Sequence, residues 1–353
     1  MQLQKIFQTA FNYGASDVYI SAGSKPALRI NGELVVIEEH PLLTKKMAED
    51  YIFETLNDDQ RSRFARTLDL DYALDVLGVG RFRANVFMQH AGIGSVFRVI
   101  PEEIKSLDSL NLPTQLKQIA DYRQGIVLLT GPTGSGKSTT LAAILDEINR
   151  KHSYNIITIE DPIEFIHKHK RSFVQQREVG VHTGTFATAL KASLRESVDV
   201  ILVGEMRDHE TIALALTAAE TGHLVLATLH TSGAGKSVDR IIDVFPSSQQ
   251  NQIRAQLAQS LRAVIWQQLL KTPDGHSRVA ALEIMFANSA IQNLIRKGKT
   301  FQIQSVLETG MREGMQTMER AVKNLAEQGF ITQETANEQL AALIAGSDSS
   351  EAG

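Results

Sequence analysis

The sequence predicts an α/β protein in two parts: a small α+β domain, then a doubly wound domain built on a parallel sheet. Three features point there. At 353 residues the chain is too long for one ordinary core, on the rough prior of ~100–200 residues per domain. Extended runs with alternating apolar positions occupy much of the first hundred residues. From Asp121 the pattern changes to nearly continuous apolar runs separated by helical periods, as expected of strands covered on both faces.

An opening helix precedes "SDVYIS" and "PALRINGELVVI", in which Asn31-Gly32 between extended runs is a hairpin signal. Two helical stretches follow, "TKKMAEDYIFETL" and "DDQRSRFARTL", and then three extended runs, "LDYALDV", "RFRANVFMQ" and "SVFRVI". Helices on one side of an antiparallel sheet would bury these alternating faces. Pro101 ends the last run, and "PEEIKSLDSLNLPTQL" reads as a connector. "GIVLLT", "YNIITIE", "VDVILVGE" and "HLVLATLH" are the expected parallel strands. Between them lie the helices "KSTTLAAILDEINR" and "DHETIALALTAAETG", the second closed by Gly222. After about Pro246 the chain reads as mostly helical to about Ala345, and "GSDSSEAG" reads as a solvated tail. The expected division is 1–112 for the first domain, 113–120 for a linker, 121–345 for the second domain with C-terminal helices, and 346–353 for a disordered tail.

With 43% hydrophobic and 22% charged residues, a sizeable core can be buried under a hydrated surface. The formal charge of −4 supplies no global basic field, so no nucleic-acid partner is expected. No apolar run approaches the ~20 residues that span a bilayer, and the opening residues lack a signal-peptide core. A cytoplasmic location is expected. The absence of cysteine fits a reducing compartment and excludes disulfides, thiol nucleophiles and cysteine-ligated zinc.

Two stretches look like phosphate-binding loops, "GPTGSGKS" from Gly131 and "HTSGAGKS" from His230. The P-loop pattern is Gly, four residues, then Gly-Lys-Ser/Thr, between a strand and a helix. Gly131, Gly136, Lys137 and Ser138 satisfy it. The glycines let backbone N–H groups turn inward to phosphate, and the helix N-terminus adds a favourable dipole. Lys137 would reach the β/γ oxygens of ATP and Ser138 would hold Mg²⁺. The expected nucleotide contacts are Gly131, Pro132, Thr133, Gly134, Ser135, Gly136, Lys137, Ser138 and Thr139. In the second stretch His230 stands where the first glycine belongs, and its side chain would obstruct the curl.

Hydrolysis needs acids to orient or deprotonate water and to complete the Mg²⁺ shell. "YNIITIEDPIEF" supplies Glu160, Asp161 and Glu164, and "VDVILVGEMRD" supplies Glu205 and Asp208. C-terminal strand edges of a parallel sheet open on the crevice where the P-loop lies, which places these acids well. Glu160 and Asp161 are the candidates to join Ser138 at the metal; Asp208 reads equally as a helix N-terminal acid. His223 and His230 begin and follow one strand an odd number of residues apart, so period-two alternation gives them opposite faces and no shared metal. His230 could touch the γ-phosphate or sense its loss, or be a structural histidine. "RFR" at 81–83 and Arg98 lie on neighbouring extended runs; Arg83 and Arg98 are candidate arginine fingers or surface-strand charges.

These residues resemble the secretion and type IV pilus motor ATPases, and within them the pilus-retraction motors, over nearly the whole chain. "GPTGSGKSTTLAA" resembles the family's Walker A segment, "TIEDPIEFIH" its Asp box, "DVILVGEMRDHETIALALTAAETGH" its Walker B segment and "TGHLVLATLHT" its His box. "AIQNLIRKGK" followed by "GMQTM" resembles the helical signature of retraction motors. The resemblance implies a PAS-like α+β N-terminal domain, then a RecA-like P-loop ATPase domain with a helical C-terminal part. It implies a homohexamer that hydrolyses ATP with Mg²⁺ at the cytoplasmic face of the inner membrane. The implied partners are an inner-membrane pilus platform protein and an accessory retraction ATPase. Glu164 and Glu205 match the hydrolytic acids, His223 and His230 the His-box histidines, and Arg83 and Arg98 the arginines that close on phosphate.

Three positions depart from the pattern: Ser197-Val198 for an acidic-proline pair, Ala227 for a His-box glycine, and Gln292 for an arginine. A principal retraction motor and an accessory paralogue both remain compatible with the sequence. Extension and type II secretion relatives typically carry a tetracysteine zinc element, which this cysteine-free chain lacks.

Overall fold

The computed structural model describes residues 2–351 apart from Asn31 and Glu102. It forms two compact units, one running to Glu103 with Pro162–Ile166 added, the other Ile104–Asp161 with the chain from His167 onward.

The first unit contains α1 (Gln2–Asn12), β1 (Asp17–Ser21), β2 (Ala27–Ile30), β3 (Glu33–Val36), α2 (Lys45–Phe53), α3 (Asp58–Thr67), β4 (Asp69–Val76), β5 (Gly80–Gln89) and β6 (Gly92–Ile100). Its six strands form one antiparallel sheet in the order β3-β2-β1-β6-β5-β4. Phe82 and Phe97 on that sheet are fully buried against Phe7 of α1, with centroids 4.4 and 4.9 Å away. Both helices expected after β3 form, and each start has a side-chain cap: Thr44 accepts from the Met47 N–H, and Asn57 and Gln60 make a reciprocal capping box. Ile30 pairs with Glu33 in the β2–β3 hairpin; of the Asn31-Gly32 signal only Gly32, at φ +89°, lies within the described residues.

The second unit continues with β7 (Gly125–Thr130), α4 (Lys137–Lys151), β8 (Asn155–Glu160), β9 (Phe173–Glu178), α5 (Phe186–Ser193), β10 (Val200–Val203), α6 (His209–Glu220), β11 (Leu224–Leu229), α7 (Ala234–Asp243) and α8 (Ser247–Ser260). Then come β12 (Leu261–Lys271), β13 (Arg278–Phe286), α9 (Ser289–Arg296), α10 (Ile303–Thr309), α11 (Met318–Glu327) and α12 (Gln333–Glu351). The strand order is β13-β12-β7-β11-β10-β8-β9, parallel except for β13. Every residue of β7, β10 and β11 is buried, as their continuous apolar runs require of strands covered on both faces.

Four findings differ from the sequence expectations. Residues 261–286 are not helical but form the long strands β12 and β13; helices dominate only from Ser289. The parallel pairing of β12 with β7 overrides a Leu-, Ala- and Gln-rich composition that suits helices. "GMQTM" is not helical before its last residue either, because Gln316 bridges Ile284 and Thr317 is the N-cap of α11, which Met318 begins. The first compact unit ends at Glu103 and not at residue 112, and Leu107, Leu112, Leu116 and Ile119, the last two within the 113–120 stretch expected as a linker, pack into the second core. Finally, α12 carries its backbone hydrogen bonding through Glu351 along the Ala- and Leu-rich "QLAALIA", so the 346–353 tail is helical as far as it is described; residues 352–353 lie outside the described residues. Among the described residues no helix is long and apolar enough to cross a membrane.

Candidate active site

The loop after β7 is shaped by contacts that only glycine admits. Gly131 has φ +141°, and a Cβ there would lie 2.3 Å from the Gln267 carbonyl and 2.8 Å from Ser135 Oγ. Gly136 has φ +84°, and its Cβ would lie 2.9 Å from Gln267 Nε2. The loop therefore curls tightly into the N-terminus of α4. Gln267, buried on β12, holds it from behind: Nε2 donates to the Ser135 carbonyl at 2.7 Å, and Oε1 accepts from Thr140 Oγ1 at 2.8 Å.

Lys137 is buried, and its Nζ donates to the carbonyls of Gly131 at 2.7 Å and Pro132 at 2.9 Å. A buried ammonium needs such acceptors, and phosphate oxygens entering the loop would supply stronger ones. Ser135 Oγ is buried without a hydrogen-bond partner, a donor available to an anion. Pro132, Thr133, Gly134 and Ser138 are exposed and Thr139 is half-buried, so the outer rim of the loop is open. These residues fit a nucleotide phosphate. Among the described residues no group of three or more His, Asp or Glu could hold a metal by itself, so Mg²⁺ here would draw oxygens from the nucleotide as well as Ser138. Glu160 ends β8 with Oε1 accepting from Thr158 Oγ1 at 2.6 Å, and Asp161 beside it is exposed.

The second Gly-Lys-Ser is built differently. Lys236 points to solvent, and buried Ser237 donates to the Gly233 carbonyl at 2.7 Å and shares a 2.7 Å hydrogen bond with Thr231. Lys236 is thus not folded into the loop as Lys137 is, and Ser237 is committed within the turn.

Register brings the acids and histidine to the loop. Leu229 pairs with Thr130, so Gly131 and His230 leave adjacent strands side by side, where strands are ~4.8 Å apart. The ends of β10 and β11 are stitched by Thr228 Oγ1 donating to the Gly204 carbonyl at 2.5 Å and the Met206 N–H donating to the Thr228 carbonyl at 3.2 Å. Glu205 consequently faces His230, Oε1 to Nε2 at 3.2 Å, while its Oε2 accepts from Arg207 Nη2 at 2.6 Å. Partial burial raises the Glu205 carboxyl, but Arg207 and His230 outweigh it and hold the group below the usual carboxylate range. It is an ionised carboxylate with both oxygens engaged. His223 lies at the opposite, N-terminal end of β11, away from that edge, where Nδ1 hydrogen-bonds the Ala218 carbonyl at 3.0 Å.

Arg83, Arg98 and Glu164 belong to the first unit. Arg83 and Arg98 are direct cross-strand partners on β5 and β6. Like charges so placed repel, and each has an acid: Arg83 meets Glu164 at 3.4 Å, and Arg98 Nε meets the buried Asp17 at 2.9 Å. Arg81, on the same face of β5 as Arg83, is instead committed to Asp75 and the Ile163 carbonyl.

The sequence reading missed Arg207 and Gln267. Arg207 had a signal, a lone cation two residues beyond Glu205 in an acid-rich strand end; Gln267 had only its polarity within an apolar run.

The profile of the type II/IV secretion system protein family, T2SSE, matches residues 1–350. The chain belongs to this family. It is 47% identical over 339 residues to the type IV pilus retractation ATPase PilT of Pseudomonas aeruginosa, covering 96% of this chain and 98% of that one. It is 50% identical over 311 residues to a twitching motility protein of Neisseria gonorrhoeae, covering 88% and 83%. Among solved structures it resembles the pilus retraction motor PilT with bound ADP, with a TM-score of 0.87 at 45% identity over 95% of this chain and 96% of that one. Like other members of the T2SSE family, the chain carries a RecA-like domain, with the P-loop strand β7 central in a largely parallel sheet.

Proposed function

We propose that the chain is a Mg²⁺-dependent ATPase that drives type IV pilus retraction. It works as a homohexamer at the cytoplasmic face of the inner membrane, with a pilus platform protein in that membrane as partner and an accessory retraction ATPase as a second one. The observation that carries the enzymatic part is the Glu205 carboxylate, held ionised against His230 at the sheet edge that also presents the Lys137 loop. A protein that only switches with nucleotide does not need such a base. The likeness to PilT along 96% of the chain supports retraction as the work done.

Each residue has a task. The backbone N–H groups of the Gly131–Thr139 loop and the N-terminus of α4 receive phosphate, and Lys137 exchanges the Gly131 and Pro132 carbonyls for β/γ oxygens. Magnesium, when bound, draws charge from the β- and γ-phosphate oxygens; Ser138, Glu160 and Asp161 are the residues to hold it. Glu205 orients and deprotonates the attacking water once one of its oxygens is released, and Arg207, with 69% of its side chain exposed, is the partner free to move. His230 on the other oxygen registers whether phosphate is present. Glu164 is the second hydrolytic acid, and Arg83 and Arg98 neutralise charge on the transferred phosphoryl group.

Steady-state hydrolysis and nucleotide binding of purified variants test this. Lys137→Ala should abolish ATP-dependent turnover. Glu205→Gln should keep ATP affinity within about threefold while kcat falls about 100-fold or more, the pattern of a group that acts in the transition state. Wild-type turnover in Glu205→Gln would refute the assignment.

A further inference from the structure

The turn from His230 to Ser237 looks like a phosphate loop yet is not built as the Lys137 loop is. Its geometry has another occupant. The N–H of Ala234, the first residue of α7, is buried and donates to Glu283 Oε1 at 2.9 Å. Glu283 comes from β13, opposite Trp266 of β12, and is only 4% exposed. The backbone N–H of Met318, the first residue of α11, lies close enough to favour the charged form of the same carboxyl, and the adjoining Gln316 is bridged to Ile284 next to it. Gly233, just before α7, has φ +96°, which lets the chain turn its next N–H toward that oxygen. One buried carboxyl thus caps the N-terminus of α7 and sits beside that of α11.

Such a group is costly to bury. Burial pushes the Glu283 carboxyl above its usual range, and the Ala234 and Met318 N–H groups oppose that rise. No salt bridge among the described residues includes it, so backbone donors and helix ends are what compensate it. An apolar residue at this point of β13 would fill the core without that penalty. What the carboxyl adds is a fixed link between two places. On one side is the turn that leaves β11 and carries His230 against Glu205. On the other is α11, preceded by the "GMQTM" segment, whose Gln316 is bridged to Ile284 beside Glu283.

We infer that Glu283 is a positioning residue for hydrolysis: its carboxyl is the internal hydrogen-bond acceptor of the second Gly-Lys-Ser turn, fixing His230 against Glu205 and tying that edge to the start of α11. The inference rests on the proposed role of His230. It assigns a use to the loop that the nucleotide site leaves over.

The test is a mutant cycle on the full-length protein, reading kcat and KM for ATP. Glu283→Gln keeps the volume and one acceptor oxygen but replaces the second with an NH₂ donor; Glu283→Ala removes the whole group. Glu283→Gln should lower kcat about fivefold with KM changed by less than about twofold, and Glu283→Ala should lower it further. In the His230→Ala background Glu283→Gln should change kcat by less than about twofold, because residues that act as a unit are not additive. Wild-type kcat in Glu283→Gln overturns the inference, as do losses that multiply in the double variant or a KM that rises as much as kcat falls. Should His230→Ala itself turn over normally, the role of His230 fails, and the inference fails with it. A slowed His230→Ala beside an unaffected Glu283→Gln overturns the inference alone.

Discussion

Glu205 stands at the end of β10 with one carboxylate oxygen on His230 and the other on Arg207. Its basicity is set by that pair working against burial, and Arg207 is the stronger influence of the two. Removing Arg207 leaves burial less opposed, so the Glu205 value must rise. Arg207→Gln should therefore shift the acid limb of the kcat–pH profile to higher pH, because Glu205 is then protonated, and idle as a base, sooner on acidification. An unchanged acid limb would mean that Arg207 does not tune the base. The position of Glu205 was legible in the sequence because "VDVILVGE" is an apolar run closed by an acid. Its engagement with Arg207 was not, because a hydrogen bond two residues along depends on how the chain turns after Gly204.

At the scale of elements, the strands that build the site differ in how plainly they show. β7, β10 and β11 are continuous apolar runs of β-branched residues and leucine, and they fold as read. β9, "FVQQRE", is a polar edge strand with no such run, and it was overlooked. β12, "LRAVIWQQLLK", has a composition that suits a helix and follows α8 without a break, so only its pairing with β7 makes it a strand. That misreading hid Gln267, which β12 delivers to the back of the phosphate loop. Gln267→Leu would leave the Ser135 carbonyl and the Thr140 hydroxyl without these partners. ATP affinity should fall about tenfold, in line with a loss of ~1–2 kcal/mol for broken buried hydrogen bonds. Isothermal titration with nucleotide checks this, and unchanged affinity would deny Gln267 a role in shaping the loop.

At the scale of the whole molecule, the residues assigned to hydrolysis fall into two sets, Arg83, Arg98 and Glu164 in one compact unit and the Lys137 loop, Glu205 and His230 in the other. The change of pattern at Asp121 showed in the sequence that there are two parts. It did not show that Pro162–Ile166 belongs with the first, since that depends on packing and not on local composition. Arg83→Ala should lower kcat about tenfold or more with little effect on ATP affinity, the mark of charge supplied only in the transition state. Equal wild-type and variant rates would leave Arg83 as a surface-strand charge paired with Glu164. The central claim is that hydrolysis at this site retracts a pilus, and the most direct measurement is pilus retraction in cells of the source organism whose chromosomal copy is deleted and replaced by either the wild-type chain or Glu205→Gln. The account predicts excess, non-retracting pili on deletion, retraction restored by the wild type, and none restored by Glu205→Gln; bald cells on deletion, or retraction restored by Glu205→Gln, would contradict it.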